Sequence, residues 1–354
     1  MTATASDAAV FALRPMGLGD LLDAMIGLYR RHVRSVIGIA AVVYVPLGLL
    51  QVVAAALVYS GVDLAAPAPS FTDLSIAGLG GLGLVVFMYW LVMPLLQGAM
   101  ARAVAEYYLG GEATIRSAYG YALRYWPSLL LVALVMSALR LGLCVLAIAP
   151  IAVAAAYIGL VSGDADPMGW LAVVGVGLVS ALVAVQAYIY FTTRFAFSAL
   201  AIVLEREGTM RGMGRSWSLS AGHFWRVLLT LTILWAFYYL VTGIIVWPAQ
   251  IGASFLPQIP LSVSYAALSG LSVMAQLLFQ PLLVIGTVLL YYDLRMRKEG
   301  FDLAMMAEAI GEPELAARSA AGRLPAPLFG PGAAPPDAVE AADVTEDTDH
   351  IPGS

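Results

Sequence analysis

The chain has 354 residues, 61% of them apolar and 12% charged, against roughly 25% charged in soluble domains. One water-soluble globule of this size cannot hide so much apolar surface, so lipid is its natural solvent. The net charge of −5 does not point to a basic partner, because about half of the acidic residues lie beyond residue 298 and the remainder of the chain is mildly basic.

Nearly all of the basic residues are arginines, with Lys298 the single lysine, a codon bias that suggests a G+C-rich prokaryote. The lone cysteine, Cys144, excludes an intramolecular disulfide and a multi-cysteine zinc site, and reads as a small buried hydrophobe. Asp7, Asp20 and Asp23 precede a first apolar run too long for a cleavable leader, so that run is expected to act as an uncleaved anchor.

Crossing the hydrocarbon core takes about 20 apolar residues. Six runs qualify, approximately Val36 to Tyr59, Leu79 to Ala101, Ser128 to Ile148, Trp170 to Tyr190, Val227 to Trp247 and Leu268 to Leu290. The third continues past Pro150 to about Val161, so it is longer, kinked at the proline or shifted outward. Arginine distribution then sets orientation. Arg14, Arg30, Arg31 and Arg34 precede the first run. Arg102, Arg116 and Arg124 follow the second, Arg194, Arg206, Arg211, Arg215 and Arg226 follow the fourth, and Arg295, Arg297 and Lys298 follow the sixth. The opposite connections, near residues 60–78, 162–169 and 248–266, carry Asp63, Asp73, Asp164 and Asp166 and no basic residue. Only an even number of crossings with both termini cytoplasmic places all these cations on one side.

A plan also recurs in the stretches beginning at Leu21, Thr114 and Arg211: a short segment with apolar and aromatic residues at helical spacing, a basic and aromatic junction, then a span. Pro150 and Pro248 fall at equivalent places, and Pro94 and Pro281 open the similar stretches MPLLQG and QPLLVIG. The predicted architecture is therefore all-α and polytopic. It has six transmembrane helices in three tandem hairpins, each preceded by an interfacial amphipathic helix, related by an axis along the membrane normal. Residues 1–13 form a disordered start, 14–110, 111–208 and 209–300 the three repeats, 301–316 a short amphipathic helix, and 317–354 a disordered acidic tail rich in Ala and Pro.

Leu18, Leu21, Leu22, Met25, Ile26 and Tyr29 line one face of the first introductory helix. Thr114 and Thr209 are expected to cap the second and third, and Gly212 and Gly214 to weaken the third by roughly 1 kcal/mol each. The glycines of AGLGGLGLV read as close helix packing.

Arg140 is the one charge inside a predicted span, and Gln186, Gln276 and Gln280, with Gln51, are its polar company. It belongs either to an intramembrane polar site or to a helix that starts late enough for it to snorkel to the inner interface. At the cytoplasmic side Arg30, Arg31, Arg124, Trp126, Arg215, Trp225, Arg295, Arg297 and Lys298 are expected to meet lipid headgroups rather than nucleic acid. His32 and His223 stand at span entrances without the carboxylates and thiols of a metal set, and His350 lies in the tail. No motif of a hydrolase, metalloprotease or phosphate loop is present. The expectation is no catalytic, cofactor or metal site.

LRPMGLGDLLDAMIGLYRRHVRSVIGIAAVVYVP at the start, GRSWSLSAGHFWRVL and LLYYDLRMRKEGFDL resemble the prokaryotic family named glycerophosphoryl diester phosphodiesterase membrane domain, over about residues 12–304. The family name implies a membrane region found beside a phosphodiesterase barrel. That barrel needs over two hundred residues with acid and histidine ligands of its own, and the chain contains none, so the enzymatic label does not transfer. The expected function is a non-enzymatic, multi-pass plasma-membrane protein binding lipid or a membrane partner. The alternatives are a small-solute or lipid transporter with its path between the hairpins, and a membrane-anchoring subunit of a separately encoded enzyme.

Overall fold

The structure, a computed structural model, describes residues 16–60, 71–108, 111, 113–157, 167–256 and 259–299. The expected start, the helix at 301–316, the tail and part of the acidic connections, with Asp63, Asp164 and Asp166, lie outside them. Every regular element described is helical: α1 Leu18–Ser60, α2 Phe71–Tyr108, α3 Ile115–Tyr157, α4 Pro167–Arg194, α5 Ser198–Glu205, α6 Thr209–Ser220, α7 Phe224–Ser254 and α8 Leu261–Glu299. Among the described residues five segments are long and apolar enough to cross a membrane, carried by α1, α3, α4, α7 and α8. The second predicted run lies in α2, which is 38 residues long.

The introductory segments meet expectation unevenly. In the second stretch the short segment and the span form one helix of 43 residues, α3, which runs on through both Pro127 and Pro150, rather than a separate helix followed by a span. In the first, α1 consists of two helices that meet at a kink at His32, whose φ of −115° and ψ of 21° leave the helical region. The third divides outright, into α6 and α7, at Gly222 with φ of 85° and His223 with φ of −125° and ψ of 24°. His32 and His223 thus share one backbone conformation at corresponding junctions. Where Gly222 can turn left-handed the first helix is broken off; where Arg31 stands before His32 the two helices stay joined at the kink.

Caps explain the starts. Asp20 accepts from Gly17 N–H at 3.0 Å before α1. Thr114 caps α3 as the sequence suggests, its Oγ1 accepting from Ser117 N–H at 3.2 Å while Ser117 Oγ accepts from Thr114 N–H at 3.1 Å, a reciprocal capping box. Thr209 is instead the first residue inside α6, with Gly208 in the cap position, and donates to the carbonyl of Ser128 at 3.3 Å.

Residues 15–294 make one compact unit. Within it α1 packs on α2, α2 on α3 and α3 on α4, and α4 touches α7. Leu234 of α7 then sits on Gly286 of α8, and Val273 of α8 on Gly48 of α1. Contacts between successive hairpins are thus as much a part of the packing as those within them. Gly98 and Gly286, which close the MPLLQG and QPLLVIG stretches, mark two further close approaches. A Cβ at Gly98 would lie 2.7 Å from Leu129 Cδ1, and one at Gly286 would lie 2.7 Å from Leu234 Cδ2 and 3.1 Å from Met25 Sδ. At Gly83 of the AGLGGLGLV run a Cβ would meet open space, so close packing there does not hold for that residue. Side-chain bonds to helix backbones or side chains tie the same neighbours: Tyr29 to Leu278 O at 2.8 Å, Tyr119 to Ile39 O at 2.6 Å, Trp90 to Ser137 Oγ at 2.6 Å and Ser180 to Ala147 O at 3.0 Å. Burial is uneven. The most apolar window of α8 is 61% buried, those of α3 and α4 only 11%, so α8 faces protein while α3 and α4 turn apolar side chains outward.

The last turn of α8, Arg295–Glu299, belongs to a second unit. There Arg295 Nε reaches Glu299 at 3.3 Å, and Arg297 and Lys298 are exposed.

Candidate functional site: a charged cluster at the basic end of the helices

α4 ends at Arg194, one residue after Thr193 donates its hydroxyl to the carbonyl of Ile189 at 2.7 Å, and the chain then enters a three-residue turn. Ser216 of α6 stitches that turn. Its hydroxyl donates to Arg194 O at 2.8 Å and accepts from Phe197 N–H at 3.1 Å, satisfying groups that the helix ends leave open. α5 follows, a short apolar helix whose residues Leu200 to Leu204 are all buried against α2, α3 and α6. Sequence reading missed this helix, because eight residues fall below the length of a span and carry no amphipathic period. The close seat of α6 on α5 depends on Gly212, where a Cβ would come within 2.5 Å of Ile202 Cγ1. Gly212 is therefore a packing residue as well as a weak helix former, whereas Gly214 meets open space.

Glu205, at the end of α5, has a side chain only 4% exposed. Arg215 of α6 reaches it at 2.7 Å, and Tyr291 of α8 donates its phenol to the other carboxylate oxygen. Two residues further along α8, Asp293 is fully enclosed. Arg226 of α7 contacts Asp293 Oδ2 through Nε at 3.1 Å and Nη2 at 2.9 Å, and Met16 N–H donates to Oδ1 at 2.8 Å. Arg226 Nη2 also donates to Met16 O at 2.6 Å, so the residue preceding α1 is clamped between α7 and α8. Carboxylates this deep are tolerated only when paired and hydrogen-bonded, and both are. Tyr108, beyond the span end predicted at Ala101, stacks on Tyr292 with ring centroids 5.3 Å apart. Burial, and then the Asp293 carboxylate, push its phenol up to about 12.

Beside these pairs stands an aromatic cluster drawn from three elements. Tyr190 of α4, Trp217 of α6 and Phe224 of α7 place their rings 5.3, 4.9 and 5.5 Å from the guanidinium carbon of Arg194. The rings also contact one another, Tyr190 with Trp217 at 5.8 Å and with Phe224 at 5.6 Å.

The residues expected from sequence distribute as follows. Arg215 belongs to the buried pair with Glu205, so its role at the headgroups is taken by that carboxylate. Arg30, Arg31 and Arg124 are exposed, Trp225 is 77% exposed, and Trp126 is half-buried with its indole N–H 3.3 Å from Leu91 O. Arg295, Arg297 and Lys298 lie in the second unit. Of the intramembrane set, Arg140 is exposed on α3, Gln186 is exposed on α4 and Gln276 is half-buried in α8. Gln280 lines, with Gln97, Tyr44 and Met100, a void of about 10 Å³ between α1, α2 and α8, room for one water. α3 is continuous from Ile115 past Arg140, and Cys144 further along it, expected to be buried, is exposed.

Asp293, Glu205, Arg226 and Arg194 escaped sequence reading because each looks like an ordinary flanking charge. The signal that marks Asp293 is an acid set directly against the apolar run LLYY, where a solvated charge has no reason to be. Among the described residues no three His, Cys, Asp or Glu side chains are grouped to hold a metal.

A family model, DUF7847, described as a domain of unknown function, matches residues 77–293. Comparison with curated proteins and with solved structures returned no significant match.

Proposed function

This chain belongs to the DUF7847 family, and from its geometry we propose that it is a non-enzymatic, multi-pass plasma-membrane protein that binds membrane lipid at its basic end. In this reading α2 joins the five long apolar helices as a sixth crossing, both termini are cytoplasmic, and the three stretches are parallel repeats. The observation that carries it is the contrast between the two ends. At one, buried acid–base pairs fix α5 to α8 in place and set aromatic and arginine side chains around them. At the other, the sequence offers acids and no cations. Five further arginines at the basic end, Arg30, Arg31, Arg34, Arg116 and Arg124, are exposed, where anionic headgroups would meet them.

The resemblance to a membrane region named for a phosphodiesterase accords with this reading as a membrane part only. Transport draws less support, since the water-sized void beside Gln280 does not include Arg140. Two measurements test the proposal. Reporter fusions after residues 110 and 207 should both be active only in the cytoplasm, and a native lipid extract of the purified protein should be enriched in anionic over zwitterionic lipid. An external reporter at either position, or a lipid extract matching the bulk membrane, would sink it.

A further inference from the structure

We propose that Arg194 and its aromatic cage form a discrete binding site for a phosphate group, supplied by an anionic phospholipid at the membrane surface. The inference rests on the lipid-binding reading above and assigns it a residue.

Among the described residues Arg194 differs from its neighbours in having no counter-ion. Arg102 has Glu106 at 2.6 Å, Arg211 has Glu207 at 3.7 Å, Arg215 has Glu205 and Arg226 has Asp293. Arg194 Nε and Nη1 are enclosed and find no acceptor, and no bond or ion pair engages Nη2, which is not enclosed. A guanidinium stripped of part of its water and left with only ring faces is under-compensated, because ring faces attract the charge without accepting all five of its N–H groups. The cage is nonetheless built. Three rings from α4, α6 and α7 surround the group, and Ser216 fixes the backbone on which it sits. A planar fork held in place with one edge open is the arrangement that favours a phosphate oxyanion, and arginine suits it better than lysine. Around the cage Trp217 is 38% exposed, Trp225 77% and Met210 70%, apolar surface fitted to the glycerol and upper acyl region of a lipid rather than to water. Arg194 also stands in the last turn of α4, where the helix dipole accommodates the cation while the site is empty.

The test is native mass spectrometry of the full chain in detergent, titrated in separate arms with short-chain phosphatidylglycerol, short-chain phosphatidylcholine and inorganic phosphate. Wild type, Arg194→Gln, Arg194→Lys and the surface control Arg211→Gln are compared, with melting temperatures taken for each. Arg194→Gln should weaken phosphatidylglycerol retention about tenfold. Arg194→Lys should weaken it by a smaller factor, since it keeps the charge and loses the flat fork. Arg211→Gln should leave it unchanged. If Gln at 194 does not fold, loss of retention in a Lys variant that melts normally serves the same purpose. Inorganic phosphate that binds wild type but not Arg194→Gln, without lipid preference, keeps the phosphate site and moves its source to the aqueous phase. Equal losses for Arg194→Gln and Arg211→Gln, or none in either, overturn the site. If wild type still prefers phosphatidylglycerol in that case, the general lipid-binding reading survives; if no arm shows any preference, both fall.

Discussion

Asp293 exposes no surface at all, while its partner Arg226 remains 31% exposed through its side chain. That asymmetry predicts which truncation is worse. Arg226→Ala takes the guanidinium away from an enclosed carboxylate, the costly direction in which to break a buried pair, expected at about 3–5 kcal/mol. Asp293→Ala leaves a cation that still reaches water and removes the acceptor of the Met16 N–H bond, and should cost about 2–3 kcal/mol. Arg211, whose side chain is 84% exposed at 3.7 Å from Glu207, is the control, and Arg211→Ala should fall within about 0.5 kcal/mol of wild type. Unfolding of the purified protein in detergent measures all three. Arg226→Ala no worse than Asp293→Ala would mean that the Asp293 carboxylate is not held as an ion. The pairing was not legible in the sequence, for a physical reason. The pair is separated by 67 positions and the Met16 contact by 277, so an acid set against LLYY can be noticed locally but its partners cannot.

Individual helices were far more legible than their ends. Each predicted run lies within a helix, because apolar length is a local property that the bilayer selects directly. The breaks were less legible. A proline in the middle of an apolar run suggests a kink, yet α3 continues through Pro127 and Pro150, and the real break, between α6 and α7, is set by Gly222. The close approach of helices lies on the same footing, since a glycine in the sequence does not say whether anything faces it. Gly286 has Leu234 and Met25 against it, Gly98 has chiefly Leu129, and Gly83 has open space. Alanine should therefore cost most at Gly286, where two side chains must move together, in the range of about 1–3 kcal/mol. It should cost less at Gly98, where the end of one leucine can rotate. At Gly83 it should be neutral or stabilising by up to about 1 kcal/mol through helix propensity. Melting temperatures of the three variants order them, and a destabilising Gly83→Ala would contradict the packing of α2 described above.

At the scale of the molecule, α3 and α4 turn their apolar residues outward, and Arg140 sits on that outer surface with Leu141 67% exposed beside it. Arg124 marks the basic end of α3, and the 16 residues between them correspond to about 24 Å of helix rise. In the proposed orientation a hydrocarbon core about 30 Å thick would put Arg140 past its middle, toward the far interface, which is then the nearer one for a snorkelling side chain. Among the described residues no hydrogen bond or ion pair engages it. Two consequences follow that separate cost of insertion from cost of folding. Replacing Arg140 by Leu should favour membrane insertion of an isolated α3 segment by about 1–3 kcal/mol, because an arginine off the centre escapes part of the central penalty. The same substitution should leave unfolding of the purified chain within about 0.5 kcal/mol of wild type, as expected where a surface side chain makes no contact. Better insertion with unchanged unfolding would make Arg140 a residue facing lipid, retained for something outside this chain. Loss of stability on Arg140→Leu would instead require an acceptor inside the bundle, and the intramembrane site suggested by Gln186, Gln276 and Gln280 would have to be rebuilt around it.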